Sequence, residues 1–311
     1  MIKRKIDRGE IVKILKQRKE ISGEEIAQLL GISRTAVWKH IKTLIKKGYP
    51  IRVSKKGYGL LEKANYLFEE EFTEFPLKVY YFKEITSTMD VARKIAEKGE
   101  EALVLAEIQT SGRGRLNRSW ISPSGGIWMS LILKPHLDLT SSSILTYVAG
   151  LATALSIEEN TGIKVNLKWP NDVLFEEKKL AGLLLEVQGE PDKVKYVIIG
   201  IGINVNNLIS HIEKGAISIR EILNQEVDRK KIVITLVQHL KNLLSLNREK
   251  ILSMWKEKSS TLNREVRVIT FDREIIGRAL DIAEDGALIL KTEEGIQKVY
   301  SGDCIHLRAS V

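Results

Sequence analysis

The chain has 311 residues, 43% of them hydrophobic and 29% charged, which allows more than one domain and a sizeable core. No stretch contains the roughly 18–20 consecutive apolar residues that cross a bilayer, and the N-terminus lacks the apolar core of a signal peptide. A single cysteine, Cys304, excludes an intramolecular disulfide and argues against a cysteine-based metal site. We therefore expect a cytoplasmic protein without membrane contact.

The net charge of +9 is distributed unevenly along the chain. Residues 1–63 contain 17 Lys and Arg against 6 Asp and Glu, whereas the other 248 residues contain 32 against 34. A basic end on a nearly neutral protein indicates a domain that faces nucleic acid. A solvated basic tail is the alternative, but this segment also has the apolar periodicity of folded helices.

The N-terminal segment has the pattern of a helix-turn-helix. Ser22 and Glu25 form a capping box that begins a short helix ending at Gly31, and Ser33 can cap a second helix. The second helix should bury a stripe made of Ala36, Val37, Ile41, Leu44 and Ile45. Its start and outer face carry the side chains that we expect to contact DNA: Ser33, Arg34, Thr35, Trp38, Lys39 and Lys42.

A β-hairpin wing is predicted next, in "YPIRVSKKGYGLLE", where Lys55 and Lys56 form a basic tip that suits DNA phosphates. A protein-docking role for this domain, residues 1–63, is the alternative to DNA binding. Residues 64–78 are predicted to be a linker, and the acidic run Glu69–Glu71 within them is expected to be solvated surface. A second domain should begin at residue 79.

Residues 79–262 alternate helices and strands, which predicts a layered α+β or α/β domain. The pattern predicts a helix over 87–99, buried strands over 102–110 and 126–135, and a long helix over 141–162. Three further strands follow, and then one long amphipathic helical stretch over 232–258. Residues 263–311 read as short alternating strands split by Asp and Gly turns, enough for a small barrel.

The connection "SGRGRLNRSW", residues 111–120, combines three arginines, two glycines and a tryptophan. Gly112 and Gly114 should leave it mobile and let its backbone approach a ligand closely. Guanidinium groups suit a carboxylate or phosphate, and Trp120 could pack over an apolar part of the same ligand. By itself, this stretch leaves open an anion site, a contact with nucleic acid and a solvated turn.

Three other strings lie near strand ends of the same domain. In "KWPND" the proline forces a turn, which leaves Asn171 and Asp172 where ligand sites tend to lie. "KKLAG" places Lys178 and Lys179 at the start of an apolar strand, and "GIGIN" ends another at Asn204. The glycines do not match the dinucleotide fingerprint, and the chain contains neither a Walker A sequence nor a Ser-His-Asp signature.

Taken together, the strings "TSTMD", "QTSGRGRLNRSW", "KWPNDV", "KKLAGLLLE" and "GIGINVN" resemble the biotin protein ligases in order and spacing. The helix-turn-helix in front is similar to that of the bifunctional members, which also repress biotin genes. The resemblance implies a multidomain α+β fold: a winged helix-turn-helix, a class II synthetase-like catalytic domain over 79–262 and a C-terminal SH3-like β-barrel over 263–311.

The resemblance also implies a role for individual residues. Lys179, Arg115 and Asp172 would be catalytic, and Asp172 would hold magnesium. Biotin would contact Ser87, Thr88, Gln109, Gly112, Arg113, Arg115, Trp120, Lys179, Gly182 and Leu184. ATP or the adenylate would contact Arg118, Asn171, Asp172 and Asn204. Residues 211–219 stand where the family has an adenine-covering loop, whose individual residues stay unassigned.

The implied reaction activates biotin with ATP and Mg²⁺ to biotinyl-5′-AMP. A lysine of the biotin carboxyl carrier protein of acetyl-CoA carboxylase then accepts the biotin. The implied partners are this carrier protein, operator DNA of biotin genes and a second copy of the chain, with biotinyl-5′-AMP as corepressor. A non-catalytic, biotin-responsive regulator is the main alternative. A lipoate ligase shares the domain type, but the arginine-rich and "KWPND" strings favour biotin.

Overall fold

The computed structural model describes residues 8–61, 65–135, 138 and 141–307. The chain divides into two units, one ending at Tyr81 and the other beginning at Phe82. No helix in these ranges is long and apolar enough to cross a membrane.

Three helices build the first unit: α1 (Arg8–Gln17), α2 (Gly23–Leu30) and α3 (Arg34–Lys47). The predicted caps are confirmed. The Ser22 hydroxyl accepts from the Glu25 N–H while the Glu25 carboxylate accepts from the Ser22 N–H. Gly31 ends α2 with φ of 66°, and the Ser33 hydroxyl accepts from the backbone N–H of Ala36. Both α2 and α3 therefore begin where a serine side chain satisfies an amide that the helix leaves unpaired.

Most of the predicted stripe on α3 is buried in the core of the first unit. Val37, Ile41 and Leu44 are at most 1% exposed, and they pack with apolar side chains of α1 and α2. The prediction is wrong for Ile45, which is 39% exposed. One residue beyond Leu44 lies about 100° further around a helix, which turns Ile45 away from the helix contacts.

The predicted wing is an antiparallel hairpin of β1 (Ile51–Ser54) and β2 (Gly57–Leu60). Lys55 and Lys56 form its exposed turn. Gly57 has φ of 140°, and a Cβ at this position would lie 2.1 Å from the carbonyl oxygen of Ile21. Glycine is therefore required where the wing approaches the backbone in front of α2.

The acidic run is not solvated surface, and that expectation is wrong. Glu69–Glu71 is a short 3₁₀ helix in which Glu70 and Glu71 are each 6% exposed. Leu67, Phe68 and Phe72 on either side of it are buried as well. The carboxylates tolerate burial because they pair with cationic side chains of α1 and α3. The linker and domain bounds given above remain predictions.

The second unit is built on a sheet with the strand order β3-β4-β6-β10-β9-β8-β7, and β5 pairs with β4 beside that path. The ladders from β4 to β7 are antiparallel. Its strands are β3 (Lys78–Ile85), β4 (Ala102–Arg113), β5 (Ser119–Ser122), β6 (Ile127–Leu133), β7 (Asn166–Lys168), β8 (Asp172–Phe175), β9 (Lys178–Glu190) and β10 (Lys193–Ile203). Buried apolar residues of β4, β6 and β10 form its centre. The α+β class is confirmed.

The helices of this unit are α4 (Thr88–Glu97), α5 (Ile144–Thr161), α6 (Ile219–Leu223), α7 (Arg229–Leu244) and α8 (Arg248–Glu257). The expectation of one helical stretch over 232–258 is wrong. The stretch breaks between α7 and α8, where the Asn247 side chain accepts from the Lys250 N–H. Asparagine competes for backbone hydrogen bonds within a helix but stabilises a helix start, so it favours the break.

Five strands form the C-terminal sheet: β11 (Glu265–Ile269), β12 (Glu274–Ile282), β13 (Leu288–Thr292), β14 (Gly295–Val299) and β15 (Asp303–His306). They pair in the order β14-β13-β12-β11-β15. Within the described residues, no ladder joins the outer strands β14 and β15 to each other. The C-terminal β domain is thus confirmed, whereas its closure into a barrel remains a prediction.

Candidate functional site

The motifs of the second unit meet at one cavity on its central sheet. The cavity is lined from the start of α4, from β4, β5, β8, β9 and β10, and from the residues at the start of β15. The predicted site residues among its lining are Ser87, Thr88, Gln109, Arg113, Arg115, Arg118, Trp120, Asn171, Asp172, Lys179, Gly182 and Leu184. Strings more than 100 residues apart in the chain therefore form one site.

One end of the cavity is polar and uncharged. The Gln109 side-chain oxygen accepts from the N–H and the hydroxyl of Thr88, at 2.8 and 3.0 Å. The Gln109 amide donates to Ser122 Oγ at 2.9 Å, and Ser130 Oγ donates to Thr88 Oγ1 at 2.8 Å. None of the described residues hydrogen-bonds to the buried Ser87 Oγ. This end suits a neutral ligand group that both donates and accepts hydrogen bonds.

The arginine-rich connection is a folded arm rather than an open loop. β4 continues to Arg113, a 3₁₀ turn spans Arg115–Asn117, and β5 returns so that Trp120 pairs with Gly112. A Cβ on Gly112 would lie 2.3 Å from the Trp120 carbonyl oxygen. Gly112 therefore allows close approach of its own hairpin. Gly114 has an extended backbone with φ of −110°, which other residues also adopt.

Trp120 forms an apolar wall against the strands that carry "KKLAG" and "GIGIN". A Cβ on Gly182 would lie 2.8 Å from the indole ring, and one on Gly202 would lie 2.4 Å from Nε1. These glycines make room for the ring, a role that the sequence analysis missed. Trp120 Nε1 is buried and has no hydrogen-bond partner among the described residues, so it is available as a donor.

The opposite end of the cavity is charged. β7 and β8 form a hairpin around the cis Trp169–Pro170 bond, so the turn predicted at Pro170 is confirmed. The hairpin sets Asp172 opposite Gly182, and Asp172 Oδ1 lies 2.8 Å from Lys179 Nζ. In the described part of the chain, no donor is aligned for a hydrogen bond to this oxygen, so the two groups form an ion pair without that geometry. Lys179 Nζ also lies 5.0 Å from the centroid of the Trp120 ring.

Two arginines of the arm are held by the start of β15. Arg115 Nη1 donates to the carbonyl of Gly302 at 3.2 Å and to Asn171 Oδ1 at 3.3 Å. Arg118 Nη2 donates to the carboxylate of Asp303 at 2.7 Å, and this bond holds the pKa of Asp303 below its usual range. Burial lowers the pKa of Arg115, which nevertheless stays charged at neutral pH.

Gly302 and Asp303 are functional candidates that the sequence analysis did not find. They lie more than 180 residues from the arm in the chain, and "SGDC" contains no local pattern that marks a site. Arg113 forms a separate pair, with its Nη2 2.8 Å from the Asp90 carboxylate at the cavity edge.

A second cavity, of about 440 Å³, adjoins the first and shares Arg118, Trp120, Asp172, Lys179 and Asp303 with it. It also contains the predicted residue Asn204, which is 2% exposed and accepts from the Asn207 side chain at 3.0 Å. Part of the segment 211–219 lines this cavity. The Lys179 N–H donates to the Gly215 carbonyl at 2.8 Å, which sets that segment beside the lysine.

The predicted DNA-binding residues lie together on the first unit. Arg34, Thr35, Trp38, Lys39 and Lys42 are exposed along α3, with Lys42 Nζ 4.0 Å from the centroid of the Trp38 ring. The Ser33 hydroxyl at the start of α3 is occupied as the helix cap. Lys55 and Lys56 are exposed at the wing tip. Such a surface offers cations for phosphates and a helix for a groove.

The first unit is a winged helix-turn-helix, and the second is an α+β unit whose site is polar at one end and cationic at the other. Together they define a class of proteins that join a DNA-binding fold to a small-molecule site.

Family models identify this class more narrowly. Residues 8–59 match an HTH domain, residues 80–204 match the biotin/lipoate A/B protein ligase family, and residues 261–307 match the biotin protein ligase C terminal domain.

Similar proteins extend the comparison to most of the chain. It is 39% identical over 302 residues to the bifunctional ligase/repressor BirA of Bacillus subtilis. This match covers 91% of this chain and 93% of that protein. It is 30% identical over 315 residues to the BirA of Escherichia coli, with 93% of each covered. The chain therefore belongs to the biotin protein ligase family.

A solved structure agrees with this assignment. The biotin protein ligase from Aquifex aeolicus in complex with biotin and ATP matches with a TM-score of 0.63 and 32% identity, over 74% of this chain and 99% of that one.

Proposed function

We propose that this protein is a biotin protein ligase that also represses transcription. The make-up of one cavity supports the ligase function. This cavity has a neutral hydrogen-bonding end, an apolar wall and a cationic end, and it lies beside a second cavity. Biotin has a neutral ureido ring, an apolar bicycle and chain, and a terminal carboxylate, in the same order. The second cavity, at about 440 Å³, is in the size range of small-molecule sites and suits the nucleotide.

Biotin binds with its ureido ring among Ser87, Thr88 and Gln109. The unpartnered hydroxyl of Ser87 and the buried bonds of Gln109 prepare this end for both donors and acceptors. Trp120 covers the apolar part across Gly182. Arg113 and Leu184 complete the walls, and Gly112 supports them from within the β4–β5 strand pair. The carboxylate points toward Arg115 and Lys179.

In the first step, a carboxylate oxygen of biotin attacks the α-phosphorus of ATP, and the bond to the β-phosphate oxygen breaks. Biotinyl-5′-AMP forms and pyrophosphate leaves with the bonding electrons. Lys179 and Arg115 lie where negative charge grows between the carboxylate and the α-phosphate. Preoriented cations lower the barrier of such transfers without a protein nucleophile.

The nucleotide lies in the second cavity, with Arg118 on its phosphates and Asn171 and Asn204 nearby. The described residues contain no cluster of three or more His, Cys, Asp or Glu that could hold a metal ion. Asp172 fits a magnesium ion that arrives with ATP, because Mg²⁺ commonly binds one or two carboxylates together with substrate phosphates. Bound there, it would neutralise phosphate charge.

In the second step, the neutral amine of an acceptor lysine attacks the carbonyl carbon of biotinyl-5′-AMP. An amide bond forms, the acyl–phosphate bond breaks, AMP leaves and the amine loses a proton. The acceptor is the biotin carboxyl carrier protein of acetyl-CoA carboxylase. The contact of Lys179 with Asp172 beside the arm arginines favours this enzyme over a regulator that only binds biotin.

The first unit binds operator DNA of biotin genes with biotinyl-5′-AMP as corepressor. The exposed outer face of α3 supplies base contacts, and Lys55 and Lys56 supply phosphate contacts. A homodimer would match the two-fold symmetry of typical operators. We also infer that the C-terminal strands close into an SH3-like barrel and that the protein acts in the cytoplasm.

Biotin-dependent pyrophosphate exchange tests the ligase function at its first step. The protein is incubated with ATP, Mg²⁺ and labelled pyrophosphate, with and without biotin. We expect label to enter ATP only when biotin is present, because reversal of the step requires biotinyl-5′-AMP. Exchange at background level with biotin would contradict the function.

A further inference from the structure

The acidic segment that follows the wing lies on the helices of the first unit and contains two of its few buried charges. The side chains of Glu70 and Glu71 are 3% and 2% exposed. Carboxylates are rarely so deeply buried unless they are paired. Here both are paired, and their partners lie on two different helices.

The first set of partners is on α1. Arg8 Nε lies 3.1 Å from Glu70 Oε1, and Lys16 Nζ forms an ion pair with Glu71 Oε2. Arg8 begins α1 and Lys16 lies in its last turn, so their backbone positions are about 12 Å apart along the helix axis. The segment therefore contacts α1 at both of its ends.

The second set is at the end of α3. Lys47 Nζ, on the last residue of that helix, lies 2.6 Å from Glu70 Oε1 and 3.2 Å from Glu69 Oε2. The Tyr49 hydroxyl donates to Glu71 Oε1 at 3.2 Å. Burial and the adjacent carboxylates raise the pKa of Tyr49, so its hydroxyl remains a donor. One oxygen of Glu70 thus connects the start of α1 to the end of α3.

Aromatic packing holds the same segment in place. The Phe68 ring lies 4.7 Å from the ring of Tyr49 and 4.7 Å from that of Tyr66, between centroids. Phe68 also belongs to the apolar core that contains Ile11, Val37 and Leu44. The carboxylates therefore cannot turn outward without moving a core side chain.

Buried ion pairs often add little net stability compared with apolar residues, but they depend strongly on geometry. We propose that Glu70 and Glu71 are positioning residues for DNA binding. They hold α1 and the end of α3 in the arrangement in which the outer face of α3 meets a groove. The inference rests on the DNA-binding function proposed above.

The same contacts also determine which cations of the first unit remain unpaired with these carboxylates. Arg8, Lys13, Lys16 and Lys47 are all paired with carboxylates of residues 69–74. Cations paired in this way attract phosphates less, which leaves the α3 face and the wing tip as the favoured surface. Loss of the carboxylates should therefore weaken specific binding while nonspecific binding stays level or rises.

The test compares Glu70→Gln and Glu71→Gln in the full-length protein with Glu74→Gln as control. Glu74 pairs with Lys13, but its side chain is 82% exposed. The probes are a duplex that the wild type selects from a randomised library and a duplex of scrambled sequence, measured by fluorescence anisotropy with biotin and ATP at one salt concentration. We expect the ratio of selected to scrambled affinity to fall about tenfold in both buried variants, the loss typical of one misaligned base contact.

Further measurements separate positioning from folding. Biotin-dependent pyrophosphate exchange should be unchanged, and thermal unfolding should show a folded first unit. General unfolding of the unit would instead lower both affinities together, and the thermal unfolding of each variant identifies it. If the buried variants do not fold, Lys47→Met replaces them, with the exposed neighbouring Lys46→Met as its charge-matched control.

Only Lys47→Met should lower the ratio, because Lys47 and not Lys46 forms the ion pairs with Glu69 and Glu70. Wild-type ratios in the folded buried variants, or in Lys47→Met, would overturn the inference. A wild type that selects no duplex would overturn the DNA-binding function and this inference with it. That outcome is distinct from failure of the positioning role alone.

Discussion

The ion pair of Lys179 with Asp172 brings a cation and a carboxylate together at the charged end of the cavity. An ammonium 2.8 Å from a carboxylate, without hydrogen-bond alignment, can turn toward an incoming phosphate at small cost. Asp172 then becomes available to a metal that accompanies the nucleotide. The pair thus holds two opposite charges ready for one substrate.

Lys179→Ala should slow biotin-dependent pyrophosphate exchange by about 100-fold or more, the usual loss when a preoriented donor of this kind is removed. Lys178→Ala is the matched control, because neighbouring side chains of a strand point to opposite faces and Lys178 is exposed. Near-normal exchange in Lys179→Ala would show that the role assigned to this lysine is wrong.

Single residues also mark the limit of prediction from sequence. Ser22, Ser33 and Gly31 were predictable as caps because their partners are a few residues away in the chain. Asp303 was not, since its partner Arg118 is 185 residues away and no local pattern connects them. The burial of Glu70 was missed for the same reason, because its cations lie on other elements.

Among the elements, the arm made by the end of β4 and by β5 gives Gly112 a structural role that the sequence did not predict. The sequence predicted a loop that two permissive glycines leave mobile, and that mobility stays a prediction. Gly112 sits inside a strand pair, and the left-handed positions of the turn are Leu116 and Asn117, with φ of 53° and 58°. Glycine at 112 is thus required by the contact of two strands.

The two glycines should therefore respond differently to the same change. Gly112→Ala places a Cβ 2.3 Å from the Trp120 carbonyl oxygen and should displace Trp120, with a loss of more than about tenfold in kcat/KM for biotin. Gly114→Ala meets its nearest atom at 3.5 Å, which is ordinary contact, and should stay within about threefold. Steady-state exchange kinetics measure both, and equal losses would contradict this assignment.

At the element scale, α4 and the long strands β4, β9 and β10 were predicted because apolar runs or periodicity define them. The short strands β5 and β8, which also line the cavity, were not predicted. The split of α7 from α8 was not, since the apolar periodicity continues through the Asn247 cap. The C-terminal strands were predicted as a separate β domain. Their contribution of Gly302 and Asp303 to the cavity follows only from the three-dimensional arrangement.

For the whole molecule, the position of the boundary between the first unit and the central sheet decides where the chain can be truncated. Leu67, Phe68 and Phe72 are buried within the first unit, and the central sheet begins with β3 at Lys78. A chain that lacks residues 1–63 keeps these side chains but loses the core that covers Phe68. A chain that lacks residues 1–77 loses the apolar segment together with its partners.

We therefore expect both truncated chains to keep ligation and to lose DNA binding, with more aggregation in the one that lacks residues 1–63. Exposed apolar patches of this kind promote association. Light scattering measures the aggregation, and pyrophosphate exchange measures the retained activity. Equal scattering would contradict the packing argument, and loss of exchange in both would show that the catalytic unit does not act alone.

Labelling of the acceptor is the sharpest test of the ligase function, because it requires biotin, ATP and the partner protein at once. The full-length protein is incubated with biotin, ATP, Mg²⁺ and the biotin carboxyl carrier protein, and the products are blotted with streptavidin. Controls omit ATP or replace the acceptor lysine with alanine. We expect a label on the carrier that depends on ATP and on that lysine. No label above these controls, under varied conditions, would contradict the ligase function and leave a protein that only binds biotin.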